Sequence, residues 1–373
     1  MYSKSRVIKA GSKLRHSSEN KDDISVINAW RSDYSYILKS FSGVLFRGIK
    51  KLKKNNIIKD EPTQGQRLKR FETIKDKIQN RQSEMCLTRM NDIAGCRVIF
   101  DSMSDLVAFK DNFDSGIHNL IYVDDKLQNP ESTGYRGIHC IYKYKSKSKK
   151  YDNKRLEVQL RTKYQHYWAT AVEIYDIING QRVKFSTGVN ASLSEQYFQY
   201  ASEIISRSQE GMFSCFPSLS NAEVIEKFES IDNETNITRQ LLNIGIIDSI
   251  SQRIEKEKGV GVYNIVIKVS TKDENIEIFS SVKEKLVLEQ YFEWERDYPE
   301  DIPVYVLGLK KAHIQECFRN YFYDSTGFTN SLIDGIEALK TQKGFGEEKT
   351  RKFRLLEHLR VWLKVFPDKS PIE

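Results

Sequence analysis

Between Arg155 and Thr162 the chain reads RLEVQLRT, so Leu156, Val158 and Leu160 alternate with Glu157, Gln159 and Arg161. An extended strand sends successive side chains to opposite faces, which separates the apolar row from the polar one. In a sheet covered by helices on both faces, such a polar row would be buried at a cost of several kcal/mol unless something satisfied it. Either a cleft holding metal and phosphate or a set of internal ion pairs meets that demand. The remaining sequence has to supply a sheet with one apolar face and one polar one.

It does so by alternating periods. Ile24, Ile27, Trp30, Tyr34, Ile37, Leu38 and Phe41 recur at helical spacing and predict a helix over residues 22–54. A strand at 66–70, a helix at 71–81, and strands at 97–100, 119–123, 137–145 and 155–162 follow, with a helix at 101–113 after the first of these four. Helices resume at 163–178 and 191–209. The expected fold is α/β in the broad sense (α+β), a mixed β-sheet flanked by helices.

The loop GMFSCFPSLSN (211–221) marks a change of pattern. We place a first domain at 1–215, with a helical N-terminal extension, and a smaller C-terminal α+β domain at 216–373. The second should contain strands at 262–270 and 275–281, a helix at 281–298, a strand at 302–309, a helix at 310–322 and helical segments to about residue 366. NYFYDSTGF (320–328) reads as aromatic packing rather than chemistry.

No apolar run approaches the roughly 20 residues that a bilayer requires, and MYSKSRVIKAG lacks a signal-peptide core. The expectation is a cytoplasmic protein with no membrane contact. The five cysteines are scattered and form no C-x-x-C pair, which argues against a disulfide framework or a zinc site. A formal charge of +8 gathers in RGIKKLKKNNIIK (47–59) and KYKSKSKKYDNKR (143–155), two segments suited to phosphates or simply solvated.

Chemistry concentrates before residue 162. Arg67 and Lys69 share one strand face, and Thr73 and Lys77 stand one helical turn apart on the next element. Cations and a hydroxyl at a strand-to-helix junction suit a polyphosphate. Asp92 precedes its strand in DIAGCRVIF, and with Glu157 it would form a hard oxygen site suited to Mg²⁺. Arg97 and Arg161 would bind phosphate or orient those carboxylates. STGYRGIHCIY places Tyr135, a flat face for a base, and His139 beside two glycines.

The order R-L-K…T-I-x-x-K, D-I-A-G-C-R-V-I, G-Y-R-G-I-H and E-V-Q-L-R-T resembles the synthetase domain of RelA/SpoT proteins, over about residues 22–209. The resemblance implies a pyrophosphokinase of the nucleotidyltransferase superfamily. It implies ATP binding by Arg67, Lys69, Thr73 and Lys77, with Asp92 and Glu157 as Mg²⁺ ligands and catalytic carboxylates. It assigns the acceptor to Tyr135, Arg136, His139, Gln159 and Arg161. The reaction would move the β,γ-pyrophosphate of ATP to the 3′-hydroxyl of GDP or GTP, in guanosine tetraphosphate metabolism.

The extended N-terminus resembles a subgroup that includes fused toxin and phage-defence enzymes, and some relatives modify the 3′ end of tRNA rather than a free nucleotide. A non-catalytic nucleotide- or RNA-binding module is the alternative of another class. The chain departs from the family in DKLQNPESTGYR, where Lys126 replaces a tyrosine and Glu131 a lysine. No His-Asp dipeptide occurs, so hydrolysis of the product is not expected. The C-terminal domain is expected to regulate, through a protein trigger or inhibitor.

Overall fold

The computed structural model describes residues 2–81, 85–128, 130–179, 183, 191–244, 264–269, 276–299, 301–306 and 325–341. The expected helix at 310–322, the segments beyond 341 and most of NYFYDSTGF lie outside them.

Helix α1 (Lys4–Arg15) and the 34-residue α2 (Lys21–Lys54) open the chain. The spacing of apolar residues predicts α2, and Asn20 starts it: its side chain accepts from the Asp23 N–H at 2.9 Å while Asp23 accepts from the Asn20 N–H. Helix α1 has a weaker apolar pattern, but Ser3 caps it and Val7, Ala10 and Leu14 are buried.

A five-stranded mixed sheet follows, made of β1 (Thr63–Leu68), β2 (Ala94–Phe100), β3 (Asn119–Asp125), β4 (Ile138–Lys143) and β5 (Arg155–Thr162). Its order is β1-β2-β5-β4-β3, with β2 and β5 parallel and every other pair antiparallel. The mixed sheet flanked by helices is the fold that the alternating periods predict. Helix α3 (Phe71–Asp76) is shorter than expected, because residues 77–81 form a π-helical turn. Helices α4 (Met103–Asn112), α5 (Lys163–Asn179) and α6 (Leu193–Ile205) complete this part.

Cys96, Val98, Cys140, Val158 and Leu160 project from one face of the sheet into a core that α2 covers with Tyr34, Ile37, Phe41 and Leu45. The polar row of β5 therefore lies on the other face, as parity requires.

Beyond residue 216 the chain supplies α7 (Asn221–Thr235), α8 (Ile237–Ile244), β6 (Asn264–Val269), β7 (Ile276–Ser281), α9 (Glu284–Asp297), β8 (Ile302–Val306) and α10 (Thr326–Thr341). Strands β7-β6-β8 form a second, antiparallel sheet. Both cores cross residue 216: Val287, Tyr291 and Trp294 of α9 join the core under the large sheet, while Phe228, Leu241, Phe328 and Leu332 join α5 and α6 in a second cluster.

One polar contact fixes α9 against α2. Arg31 is fully buried, and its guanidinium donates to both Glu295 oxygens at 2.8 and 3.1 Å. It also donates to the Lys69 carbonyl at 2.7 Å, and Glu295 accepts from the Phe71 N–H at 2.8 Å. A carboxylate from residue 295 thus holds the β1–α3 junction, where Lys69 sits.

Candidate active site

The register of the sheet assembles the site. Arg67 pairs with Gly95 and Gly95 with Glu157, while Arg97 pairs with Gln159 and Gln159 with His139. Directly paired residues share a face, so Arg67, Arg97, Glu157, Gln159 and His139 all stand on the polar side. Asp92, just ahead of β2, joins them along one cleft with Arg67, Gly95, Arg97, Glu157 and Gln159. A Cβ added at Gly95 would meet nothing within 4 Å, so its missing side chain opens the floor between Arg67 and Glu157.

Asp92 accepts from Lys69 at 2.9 Å and from Lys77 at 3.1 Å. Burial works to raise its pKa, but the two ammonium groups outweigh that and hold the carboxyl well below the usual range. Glu157 accepts from Gln159 at 2.7 Å and pairs with His139 Nδ1 at 3.0 Å. Burial opposes its ionisation as well, yet His139 outweighs it and the pKa falls to about 2. His139 answers in kind: burial alone would lower its pKa, but Tyr135 and Glu157 push it up to about 9. Both ring nitrogens then donate, to Glu157 and to the Tyr135 hydroxyl at 2.6 Å.

Arg161 donates to the same hydroxyl at 2.7 Å and to Gln159 at 3.2 Å, and its buried Nε has no partner among the described residues. Arg97 reaches the Gln159 carbonyl oxygen at 3.4 Å. Glu157, His139, Tyr135, Arg161 and Gln159 form one continuous network, with Asp92 and its two lysines beside it.

Three expected site residues stand elsewhere. Tyr135 is only 3% exposed; Arg161 lies 5.1 Å from its ring centroid and Trp168 packs nearby, so no face is open to a base. The turn before it explains this: Gly134 has φ +89°, and a Cβ there would lie 2.9 Å from that of Ser202, which sets the turn tight against α6. Arg136 points away from the cleft and pairs with the buried Glu210, which also accepts from Gln165 at 2.9 Å. Thr73 is half-buried on α3 and does not line the cleft.

A residue that no sequence motif singles out stands at the rim. Tyr122 pairs with Ile141, which pairs with Glu157, and it is 46% exposed with its hydroxyl accepting from Asn91 at 2.8 Å. The irregular register between Leu120 and Tyr122 turns it to the polar side, and no residue-type pattern announces that shift. Glu131 is answered by Lys126, which also reaches Asp124 at 3.1 Å, so the two departures in DKLQNPESTGYR neutralise one another.

No cluster of three or more metal-ligating side chains occurs among the described residues. Two ionised carboxylates on one cleft do not make a zinc cage. They do fit a hard cation that keeps water and takes its other ligands from phosphate oxygens. The lysines that now neutralise Asp92 are on hand for those phosphates.

Residues 66–176 match the family model described as a region found in RelA / SpoT proteins. This stretch of the chain is therefore similar to that region, and every residue from Arg67 to Arg161 discussed above falls inside it. Among curated proteins, GTP pyrophosphokinase YwaC of Bacillus subtilis (strain 168) is 30% identical over 113 residues, which are 28% of this chain and 52% of that protein. The chain thus spans about half the length of that relative. Among solved structures, small alarmone synthetase 1 from Bacillus subtilis, bound to its product pppGpp, aligns at 23% identity, over 47% of this chain and 88% of that one, with a TM-score of 0.39. A GTP pyrophosphokinase family protein from Streptococcus pneumoniae aligns at 19% identity, over 50% and 88% of the two chains, with a TM-score of 0.37. No helix among the described residues is long and apolar enough to cross a membrane.

Proposed function

We propose that the chain is a pyrophosphokinase that transfers the β,γ-pyrophosphate of ATP to the 3′-hydroxyl of a guanine nucleotide, GDP or GTP, releasing AMP. The observation that carries this reading is the pairing of Asp92 and Glu157, both held ionised on one cleft beside Arg67, Lys69 and Lys77. A binding module would have to hold two buried like charges with no use for them. Transfer of a phosphoryl group asks mainly for positioning and for charge to be offset, which this set of groups supplies.

Mg²⁺ bound by Asp92 and Glu157 would neutralise charge on the transferring phosphates. Lys69 and Lys77 turn from Asp92 to the donor, and Arg67 and Arg97 flank it along the floor opened by Gly95. The acceptor oxygen forms a bond to the β-phosphorus as the bond to the α-phosphate oxygen breaks, and AMP leaves with that oxygen. The hydroxyl proton is released to solvent. With a pKa near 2, Glu157 is suited to accept a hydrogen bond from the hydroxyl and so aim it, rather than to keep its proton. Arg161 and Gln159 reach the acceptor side, and Tyr122 offers its exposed ring to the base in place of Tyr135.

The C-terminal segment restrains the donor side through Glu295, which holds both Arg31 and the start of α3. A protein trigger acting there would change how Lys69 is presented.

The test is to incubate the chain with ATP labelled at the γ-phosphate and GDP, GTP, ATP or deacylated tRNA. Label on GDP or GTP, lost with Glu157→Gln, supports the reading. Label on tRNA alone transfers it to the 3′ end of RNA, and absence of AMP with every acceptor returns the chain to a binding module.

A further inference from the structure

A groove larger than the cleft opens elsewhere on the molecule. It lies between α2, the loop after α4 and the end of β4, with a volume of roughly 420 Å³. Because α2 covers the apolar face of the sheet, this groove opens on the other side of the sheet from the cleft and shares no lining residue with it.

The two basic segments of the sequence meet there. Arg47 and Lys51 come from one and Lys145 from the other, about a hundred residues apart in the chain and now lining one groove. Part of the remaining charge in those segments is spent internally: Lys150 and Lys154 pair with Asp33 at 3.0 and 2.8 Å, and Lys50 pairs with Glu61 at 2.9 Å. Arg47 and Lys51 form no ion pair among the described residues. Lys145 Nζ rests on the neutral Asn153 at 3.0 Å. The one carboxylate on the wall, Asp114, is engaged by the Gly116 N–H at 2.8 Å.

His118 supplies the independent sign of a ligand. It is 8% exposed, lines the groove and stacks on Tyr144 with ring centroids 4.6 Å apart. Its Nδ1 accepts from the Lys145 N–H at 3.1 Å, which puts the proton of the neutral ring on Nε2. That N–H has no partner among the described residues. A nearly buried donor facing a groove with three cations is arranged for an anion. The lining also has apolar members, Val44 and the 72% exposed Ile117. The volume falls in the range of about 300–1,000 Å³ usual for small-ligand sites.

We propose that this groove is a second nucleotide site, separate from the catalytic cleft. It takes the phosphates of a free nucleoside phosphate on Arg47, Lys51, Lys145 and the His118 Nε2–H, and seats the base between Val44 and Ile117.

Titration with a fluorescent ATP carrying an N-methylanthraniloyl group, which meets the cleft on the donor side beside Gly95, tests it on the full chain. The wild type should bind in two phases, and Gly95→Val, which fills the cleft, should leave one. In that background Arg47→Glu with Lys51→Glu should weaken the remaining phase about 100-fold, at about tenfold for each charge-assisted hydrogen bond to phosphate that is removed. Ile117→Asp, an exposed substitution that sets a carboxylate in the groove, should weaken the same phase and guards against a folding artefact. Single-phase binding in the wild type, or a second phase indifferent to these substitutions, overturns the proposal. So does a single-stranded RNA that binds through Arg47 and Lys51 when the ATP probe does not. The readout is binding and not turnover, so its failure is distinct from failure of pyrophosphate transfer.

Discussion

Replacing Glu295 by Met should destabilise the chain far more than a single surface ion pair would. Arg31 is fully buried and gives Glu295 two hydrogen bonds, so the substitution strands a desolvated guanidinium. Breaking such a pair from one side costs about 3–5 kcal/mol. The Phe71 N–H loses its acceptor in the same step. Arg31→Met should cost a similar amount, because it strands the Glu295 carboxylate and takes a donor from the Lys69 carbonyl. The double variant removes both charges and keeps much of the volume, so what remains is uncharged groups short of a partner, the Phe71 N–H, the Lys69 carbonyl, the Tyr291 hydroxyl and the Asn28 side-chain oxygen, each of which costs less than a stranded charge. The expected total for the double variant is therefore well below the roughly 6–10 kcal/mol of the two singles added. Urea unfolding of the four proteins closes the cycle. If the double variant loses as much as the singles combined, the charges are not a coupled buried pair and the account of how α9 is held is wrong.

Other substitutions probe the site. Gly95→Val should change stability by less than about 1 kcal/mol, since its side chain enters open space, yet lower pyrophosphate transfer by about 100-fold or more; normal transfer would show that the donor lies elsewhere. Tyr122→Ala should raise the acceptor KM by about tenfold, the worth of stacking one base on one ring, with little change in unfolding; an unchanged KM removes Tyr122 from the acceptor site. Burial lowers the pKa of His118, so between that lowered value and 6.5 the unfolded chain takes up a proton that the folded one refuses. Stability should accordingly fall as pH drops below 6.5, and His118→Asn should flatten that slope in urea midpoints measured at about pH 7.5 and 5.5.

The polar face of the sheet is legible in the sequence because strand parity is local. Leu156 to Arg161 specify it within six residues, and Asp92 announces itself by preceding an apolar run. What escapes is what depends on distant chain. Tyr135 looks like an open aromatic beside glycines, but Trp168 and Arg161, neither within 25 residues, cover it. Arg136 belongs to Glu210, 74 residues on, and Arg31 to Glu295, 264 residues on. Tyr122 reaches the cleft rim through a strand irregularity that side-chain types do not encode. Helix α1 escapes as well, because its helically spaced apolar residues are few in a short, mostly polar run, and burial against α2 makes them count.

The order β1-β2-β5-β4-β3 also bears on how the site is born. Strands β3, β4 and β5 follow one another in the chain and pair antiparallel, so they zip as a meander, while β1 and β2 form a separate antiparallel pair. Asp92 belongs to one half and Glu157 to the other. They meet only when the parallel seam between β2 and β5 closes over a long intervening loop, the slow kind of contact in folding. Amide hydrogen exchange should therefore find Gly95 to Val98 opening as a unit with their partners on β5, and each such opening would part Asp92 from Glu157 while leaving most of the fold intact.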